Sequence, residues 1–270
     1  MNALPLLNKR ILLTGATGSL GSETALALLR MGASLLLPVR NPAKAEALRE
    51  QLLGVCTEDH FRFLPVDMSD EASVKQLVAT LREENLPMDA IIHNAGVFTT
   101  TGQTSQQGHE LHQQVNALSP LLLTEGLLPL LQQAEAPSVV TVTSLSAFWK
   151  AARRTSPNAN PTQVYAASKR ALLHAMEEMA KQYPSIRFVY AHPGVCATGL
   201  FSGSTHQTAY HRRFLKIALP LMRLVFPLPD KACFPTLTAL LDGQNGQLAE
   251  PGGLFHIWGK PKLIPLSKRF

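Results

Sequence analysis

Cysteine is almost missing. Cys56, Cys196 and Cys233 are the only three in 270 residues, far apart and with no spacing that would gather ligands around a metal. So sparse and odd a set excludes a disulfide-stapled framework. It points to reduced thiols in a cytoplasmic setting. Aromatic residues are few, at 6%, and the cations come as scattered pairs such as Lys9-Arg10, Arg153-Arg154, Arg212-Arg213 and Lys268-Arg269. No basic stripe is interleaved with aromatics, which argues against nucleic acid as a partner. The net charge of +6 then belongs to a solvated basic surface or to the attraction of a phosphate-bearing cofactor. No apolar run reaches the ~18 residues of a membrane span. The first residues lack the charged stretch and apolar run of a secretory signal. Internal repeats, low-complexity tracts and linkers are absent too. At 46% hydrophobic and 16% charged, the chain has the material for one domain with a large core, spanning 1–270.

What is present is alternation. Short apolar runs at 10–14, 34–39, 61–66, 89–93, 138–143 and 186–191 alternate with helical patterns at 20–31, 42–53, 69–84, 106–133 (broken near Pro120) and 163–182. Two further helices are expected at 214–225 and 231–241, and a last strand at 253–257. Gly32 suits a helix C-cap, Pro42 a first helical turn and Ser69 an N-cap. Pro38 is tolerable only near a strand end. The apolar runs are near-continuous, as strands buried on both faces are. Such alternation predicts an α/β fold: right-handed crossovers and a doubly wound parallel sheet between two helical layers, of Rossmann type.

In an open sheet of this kind, ligands bind beyond the carboxyl ends of the strands. The unusual residues fall there. After the first strand comes Gly15-Ala16-Thr17-Gly18-Ser19-Leu20-Gly21, spaced Gly-x-x-Gly-x-x-Gly. Glycines let backbone approach a pyrophosphate, and the helix that follows offers free N–H groups. The second strand ends at Arg40, about where an acidic residue would select the 2′-hydroxyl of NAD. A guanidinium suits the 2′-phosphate of NADP instead, with Lys44 one turn into the next helix to assist. NADP(H) is therefore expected over NAD(H). The third strand ends in Asp67-Met68, where the carboxylate can accept from an adenine amino group or simply precede a helix cap. The fourth ends in Asn94-Ala95-Gly96, small enough to pass close to a ribose. The fifth ends at Ser144, placed to point a hydroxyl into the cleft. The sixth is followed by Pro193-Gly194-Val195 and then Thr198, toward the far end of a cofactor.

Tyr165 and Lys169 stand four apart on a predicted helix, one turn apart on one face. An ammonium beside a phenol favours the phenolate and lowers its pKa from ~10. Tyr165 could then exchange a proton with a substrate oxygen near neutral pH. Tyr-x-x-x-Lys is common on ordinary helices, so the spacing gains meaning only from what surrounds it.

Taken together, the Thr14–Gly21 turn, Asp67, Asn94-Ala95-Gly96, Asn116, Ser144, Tyr165-x-x-x-Lys169 and Pro193-Gly194 resemble the motifs of the short-chain dehydrogenase/reductase family, in order, across about 9–198. The Val39-Arg40-Asn41 turn, the His-Pro-Gly motif and the apolar, basic segment before Lys231 are similar to its retinol-dehydrogenase-like branch. Two features depart. The glycine spacing is that of the extended members, such as sugar-nucleotide epimerases, and an insert rich in Arg, Pro and Asn separates Ser144 from Tyr165. The resemblance implies an oxidoreductase that interconverts a carbonyl and an alcohol with a nicotinamide cofactor. It implies Tyr165 as general acid/base, Ser144 bonded to the reacting oxygen, Lys169 on the nicotinamide ribose, and Asn116 holding a water that links Lys169 to solvent. Two other readings are a non-catalytic NADP-binding regulatory protein and an extended-type epimerase or dehydratase.

Leu145, Phe148 and Trp149 follow Ser144 and can wall an apolar substrate pocket or belong to the core. The segment 199–229 lies where the family keeps its variable lid. Its apolar part, 214–226, suits closure over a lipophilic ketone, aldehyde or alcohol, packing on a partner, or contact with a membrane surface. Homodimers and homotetramers are both compatible with the sequence.

Overall fold

The computed structural model describes residues 4–100, 102–153, 159–194, 229–253 and 259–270. All but the last residue of the expected lid at 199–229, the helix at 214–225, Val195, Thr198 and most of the strand at 253–257 lie outside the described residues.

Eight strands form one sheet in the order β3-β2-β1-β4-β5-β6-β7-β8. They are β1 Arg10–Leu13, β2 Ser34–Val39, β3 Phe61–Pro65, β4 Ala90–His93, β5 Ser138–Val142, β6 Arg187–Ala191, β7 Gln247–Pro251 and β8 Pro261–Pro265. The first seven run parallel. β8 returns antiparallel to β7, with Leu248 opposite Ile264. Neither β7 nor β8 is expected from sequence, and the expected strand at 253–257 falls mostly outside the described residues. The Gln-Leu-Ala-Glu-Pro composition of β7 carries too short an apolar run to announce a buried strand. Glu250 on it is fully buried. Its charge is met by Arg269, whose Nε donates at 2.9 Å, and by Lys262 at 3.6 Å.

Pro38 is tolerated for a specific reason. Ser34 N–H donates to Lys9 on the β1 side, and the Val39 carbonyl accepts from Val66 on the β3 side. Strand alternation thus turns the missing N–H of Pro38 toward β1, whose pairing with β2 has already ended at Leu12–Leu36.

The helices are α1 Ser19–Arg30, α2 Pro42–Leu53, α3 Glu71–Glu84, α4 Leu111–Gln113, α5 Ser119–Leu131, α6 Pro161–Gln182, α7 Pro229–Ala232 and α8 Phe234–Asp242. Alternate strand residues separate two cores. Ile11, Leu13, Leu35 and Ile92 pack under α1, α2 and α8, whereas Leu12, Ile91, Val139 and Phe188 pack under α3, α5 and α6. A three-layer α/β/α arrangement results.

Local rules set the helix ends. Gly32, at φ +90°, follows α1 in the left-handed region. α3 is capped by Asp70, which accepts from Ala72 N–H at 3.1 Å. Ser69, the expected cap, instead gives both its N–H and its hydroxyl to Asp67. The end of the insert before Tyr165 is itself a cap. The Asn160 side chain accepts from Gln163 N–H and the Gln163 side chain accepts from Asn160 N–H, ahead of Pro161 in the first turn of α6. The helix expected over 106–133 starts only at Leu111. It is interrupted at Gln114–Leu118 by a π-turn rather than broken at Pro120.

Candidate active site

The strand order reverses between β1 and β4, and the two strand ends are tied there by one hydroxyl. Thr14 Oγ1 donates to the Ile92 carbonyl at 3.3 Å and accepts from Asn94 N–H at 3.1 Å and Ala95 N–H at 3.0 Å. That uses its full capacity of one donor and two acceptors. Asn94 returns the grip, its Nδ2 donating to the carbonyls of Thr14 and Gly15. Gly15 has φ +70°, and a Cβ on it would lie 2.7 Å from Ala95 Cα. Gly21 is closer still: its Cβ would meet the Gly15 carbonyl oxygen at 2.1 Å. Both glycines exist for close approach. Gly18, Ser19 and Thr17 face outward at the mouth of the turn, more exposed than Ala16 and Gly21 behind them, while Leu20 is half-buried.

The start of α1 differs from those of α2, α3 and α6. Asn41, Asp70 and Asn160 each cap a helix with a side chain, but no side chain caps α1, and its first turn holds no acidic residue. Its first N–H groups and positive dipole end are left for an anion. The glycine cradle and this bare terminus fit the pyrophosphate of a dinucleotide.

Just beyond β2, Arg40 is well exposed and reaches Asp67 at 3.7 Å. Asp67 also accepts from Ser69, so it braces the loop. The Met68 carbonyl is taken by Ser119 Oγ at 2.7 Å. Lys44 is exposed beside its cap Asn41. Gly194 follows β6 at φ +81° after Pro193.

The chemistry-bearing residues gather on α6, the π-turn and the turn after β5. Lys169 is 5% exposed and its Nζ donates to the Val142 carbonyl at 3.2 Å. Burial pulls its pKa down to about 8. Gly96 lies over it: a Cβ there would sit 3.2 Å from Lys169 Nζ and 3.4 Å from Asn116 Oδ1. Asn116 grips Val97 twice, accepting its N–H at 2.8 Å and donating to its carbonyl at 3.1 Å. Asn116 Nδ2 also donates to Ser168 Oγ at 3.0 Å, and Ser168 Oγ donates to the Tyr165 carbonyl at 2.8 Å. Asn116 is thus wired to the helical turn between Tyr165 and Lys169. The π-turn carries it, as such bulges often carry functional groups.

Ser144 opens the 3₁₀ turn Leu145–Phe148. Its Oγ accepts from Ser146 N–H at 3.3 Å and Ser146 Oγ at 3.0 Å, which leaves its own proton for a ligand. This turn packs on α6, where Arg170 donates to the Ala147 carbonyl. Of the three residues considered as a substrate wall, Leu145 is half-buried and Trp149 is half exposed. Phe148 packs edge-on to Phe270, at 5.7 Å, and against the core under α6.

Two aromatic side chains that the sequence reading passed over do meet Tyr165. Phe98 and His112 pack edge-on to its ring, at centroid distances of 5.6 and 6.2 Å. The available signal was His112 standing one helical turn before Asn116. A second recess, lined by Arg10, Asp59, Arg62 and Glu84 among others, opens at the amino ends of the strands, away from all these groups.

The model of the short chain dehydrogenase family matches residues 9–209, about three quarters of the sequence. The chain belongs to the short-chain dehydrogenase family. Human retinol dehydrogenase 13 is 27% identical to this dehydrogenase over 241 residues, covering 84% of it and 70% of the relative. Mouse retinol dehydrogenase 14 is 31% identical over 235 residues, covering 80% and 67%. Among solved structures, an uncharacterised protein from Mycobacterium Paratuberculosis superposes with a TM-score of 0.71 at 24% identity, covering 98% of this dehydrogenase and 88% of that chain. As a member of this family the protein is an oxidoreductase that works on carbonyl and alcohol groups with a nicotinamide dinucleotide.

Proposed function

We propose that this dehydrogenase interconverts a lipophilic aldehyde or ketone and its alcohol, using NADP(H) in preference to NAD(H). The observation that carries this reading is the buried, backbone-anchored Lys169 one helical turn from Tyr165, wired to Asn116 through Ser168. A bound nicotinamide supplies or takes the hydride. In reduction, Tyr165 gives its proton to the carbonyl oxygen. Ser144 donates its hydroxyl proton to the same oxygen as a hydrogen bond and holds it in place. Lys169 favours the phenolate that Tyr165 leaves behind and holds the nicotinamide ribose. Asn116 fixes the loop that crosses Lys169 and keeps a path for a water to it. Gly15, Thr17, Gly18, Ser19, Leu20 and Gly21 form the cradle for the pyrophosphate. Asp67 and Met68 border the adenine, and Asn94, Ala95 and Gly96 the adjoining ribose. Pro193, Gly194, Val195 and Thr198 complete the far end.

The NADP preference rests on Arg40. It is exposed at the end of β2, held among the described residues by a long ion pair, and no carboxylate takes its place there. The lipophilic substrate class is supported by the names of the two retinol dehydrogenases and by the apolar character of 214–226. A cytoplasmic location and a homodimer or homotetramer accompany this reading. Cell fractionation and sedimentation velocity test them.

The functional test is the oxidation of NADPH and of NADH, followed at 340 nm, against a panel of retinoid aldehydes and hydrophobic ketones. Turnover with NADPH favoured is expected. Tight NADPH binding without turnover of any carbonyl would make the protein a regulatory binder. Conversion of nucleotide sugars without net cofactor consumption would make it an epimerase.

A further inference from the structure

The segment after Gly96 has no regular secondary structure, yet it is held at two points. Asn116 fixes Val97 on both its amide and its carbonyl. His112 fixes Thr99, whose N–H donates to His112 Nε2 at 3.0 Å. Four residues of helix advance about 6 Å, and two residues of chain span at most about 7 Å. The two grips are therefore matched in spacing, and Phe98 lies between them. Its ring joins those of Tyr165 and His112 in a triangle of edge-on contacts, with centroids 5.6, 5.9 and 6.2 Å apart.

The His112 tautomer is fixed by its partners. A backbone N–H can only donate, so Nε2 accepts. The ring proton then sits on Nδ1 and goes to Glu110 Oε1 at 2.6 Å. Glu110 also caps α4 through Gln113 N–H at 3.0 Å. His112 itself is 2% exposed. A buried imidazole with both nitrogens bonded and its ring against the Tyr165 ring is more than packing requires, since a leucine would fill the volume.

We propose that His112, oriented by Glu110, is a positioning residue: through Thr99 it holds Phe98 against Tyr165 and so sets the wall beside the reacting oxygen. This rests on the oxidoreductase reading above for its catalytic consequence, but the clamp itself does not. Glutamine can offer an acceptor where Nε2 lies, whereas phenylalanine keeps a ring and offers none.

The test uses the full chain with H112F, H112Q and F98A. Hydrogen exchange of the 97–100 amides reads the clamp directly. In H112F these should exchange about ten-fold faster, the size of one hydrogen bond, and in H112Q and F98A they should stay close to wild type. For a carbonyl substrate found in the screen, kcat/KM should fall about ten-fold in H112F and in F98A and largely recover in H112Q, with the Kd for NADPH unchanged in all three. Unchanged exchange in H112F overturns the clamp. Faster exchange with wild-type kinetics in both H112F and F98A overturns the positioning role. If the wild type turns over no carbonyl, the oxidoreductase reading falls while the exchange data still decide the clamp. Should H112F not fold, equal kinetics in F98A and wild type would be enough to overturn the proposal.

Discussion

Lys169 Nζ donates to the carbonyl oxygen of Val142 at 3.2 Å, at the carboxyl end of β5. The cation is buried on the core side of α6, and among the described residues no carboxylate pairs with it. Burying a charge without a counter-ion is unfavourable for folding. It is the kind of cost a fold keeps for a working group, and it leaves an ammonium one helical turn from the tyrosine proposed to give and take a proton.

Lys169→Met should therefore stabilise the cofactor-free protein at neutral pH while abolishing turnover. Burial lowers the lysine from 10.5 to about 8, a cost of at most roughly 3 kcal/mol. Between those values the unfolded chain holds the proton that the folded chain has released. Wild-type stability accordingly rises with pH through that window. Denaturant midpoints at pH 7 and pH 10 check this: the advantage of the variant should be largest at pH 7 and shrink toward pH 10.

His93 predicts the opposite end of the pH range. Thr124 gives its own proton to the Pro120 carbonyl, so His93 Nε2 is the donor to Thr124 Oγ1 and Nδ1 is the bare, buried nitrogen. Burial first, and Lys169 second, pull its pKa from 6.5 to about 3. The unfolded chain takes up a proton there below about pH 6.5 and the folded chain does not until about pH 3. Stability therefore falls as the pH is lowered through that interval, by an amount of the order of a few kcal/mol. His93→Asn should flatten the acid limb of the urea midpoint against pH, whatever it does at pH 7.

Arg40→Asp should reverse cofactor preference. Arg40 is 69% exposed and its pair with Asp67 is long, so its loss should change stability by less than about 1 kcal/mol. The Kd for NADPH should rise by about ten-fold or more and that for NADH should not. Fluorescence titration with both cofactors measures it; an unchanged ratio would remove the 2′-phosphate assignment.

Most of the strand and helix plan was legible because buried parallel strands are continuous apolar runs and because Gly32, Pro42 and the Gly15–Gly21 turn obey local rules. β7 was not, since its Glu250 is neutralised by Arg269 and Lys262 from beyond the strand, a pairing made only by the fold. Asp70 rather than Ser69 caps α3 because Asp67 captures Ser69 first. In the site, Asn116, Ser144, Tyr165 and Lys169 could be picked out by motif. Phe98 could not, and His112 was marked only by standing one turn before Asn116: their contact with Tyr165 depends on a segment without regular structure folding across the π-turn, a path that composition does not encode.

The central claim is that Tyr165 moves the proton. Its most direct measurement is single-turnover NADPH oxidation by Tyr165→Phe with a carbonyl the wild type reduces, alongside NADPH affinity. The phenyl ring keeps the packing against Phe98 and His112 and removes only the hydroxyl. The expected result is unchanged NADPH affinity and a rate lower by at least about 100-fold. A rate within a few-fold of wild type would contradict the account.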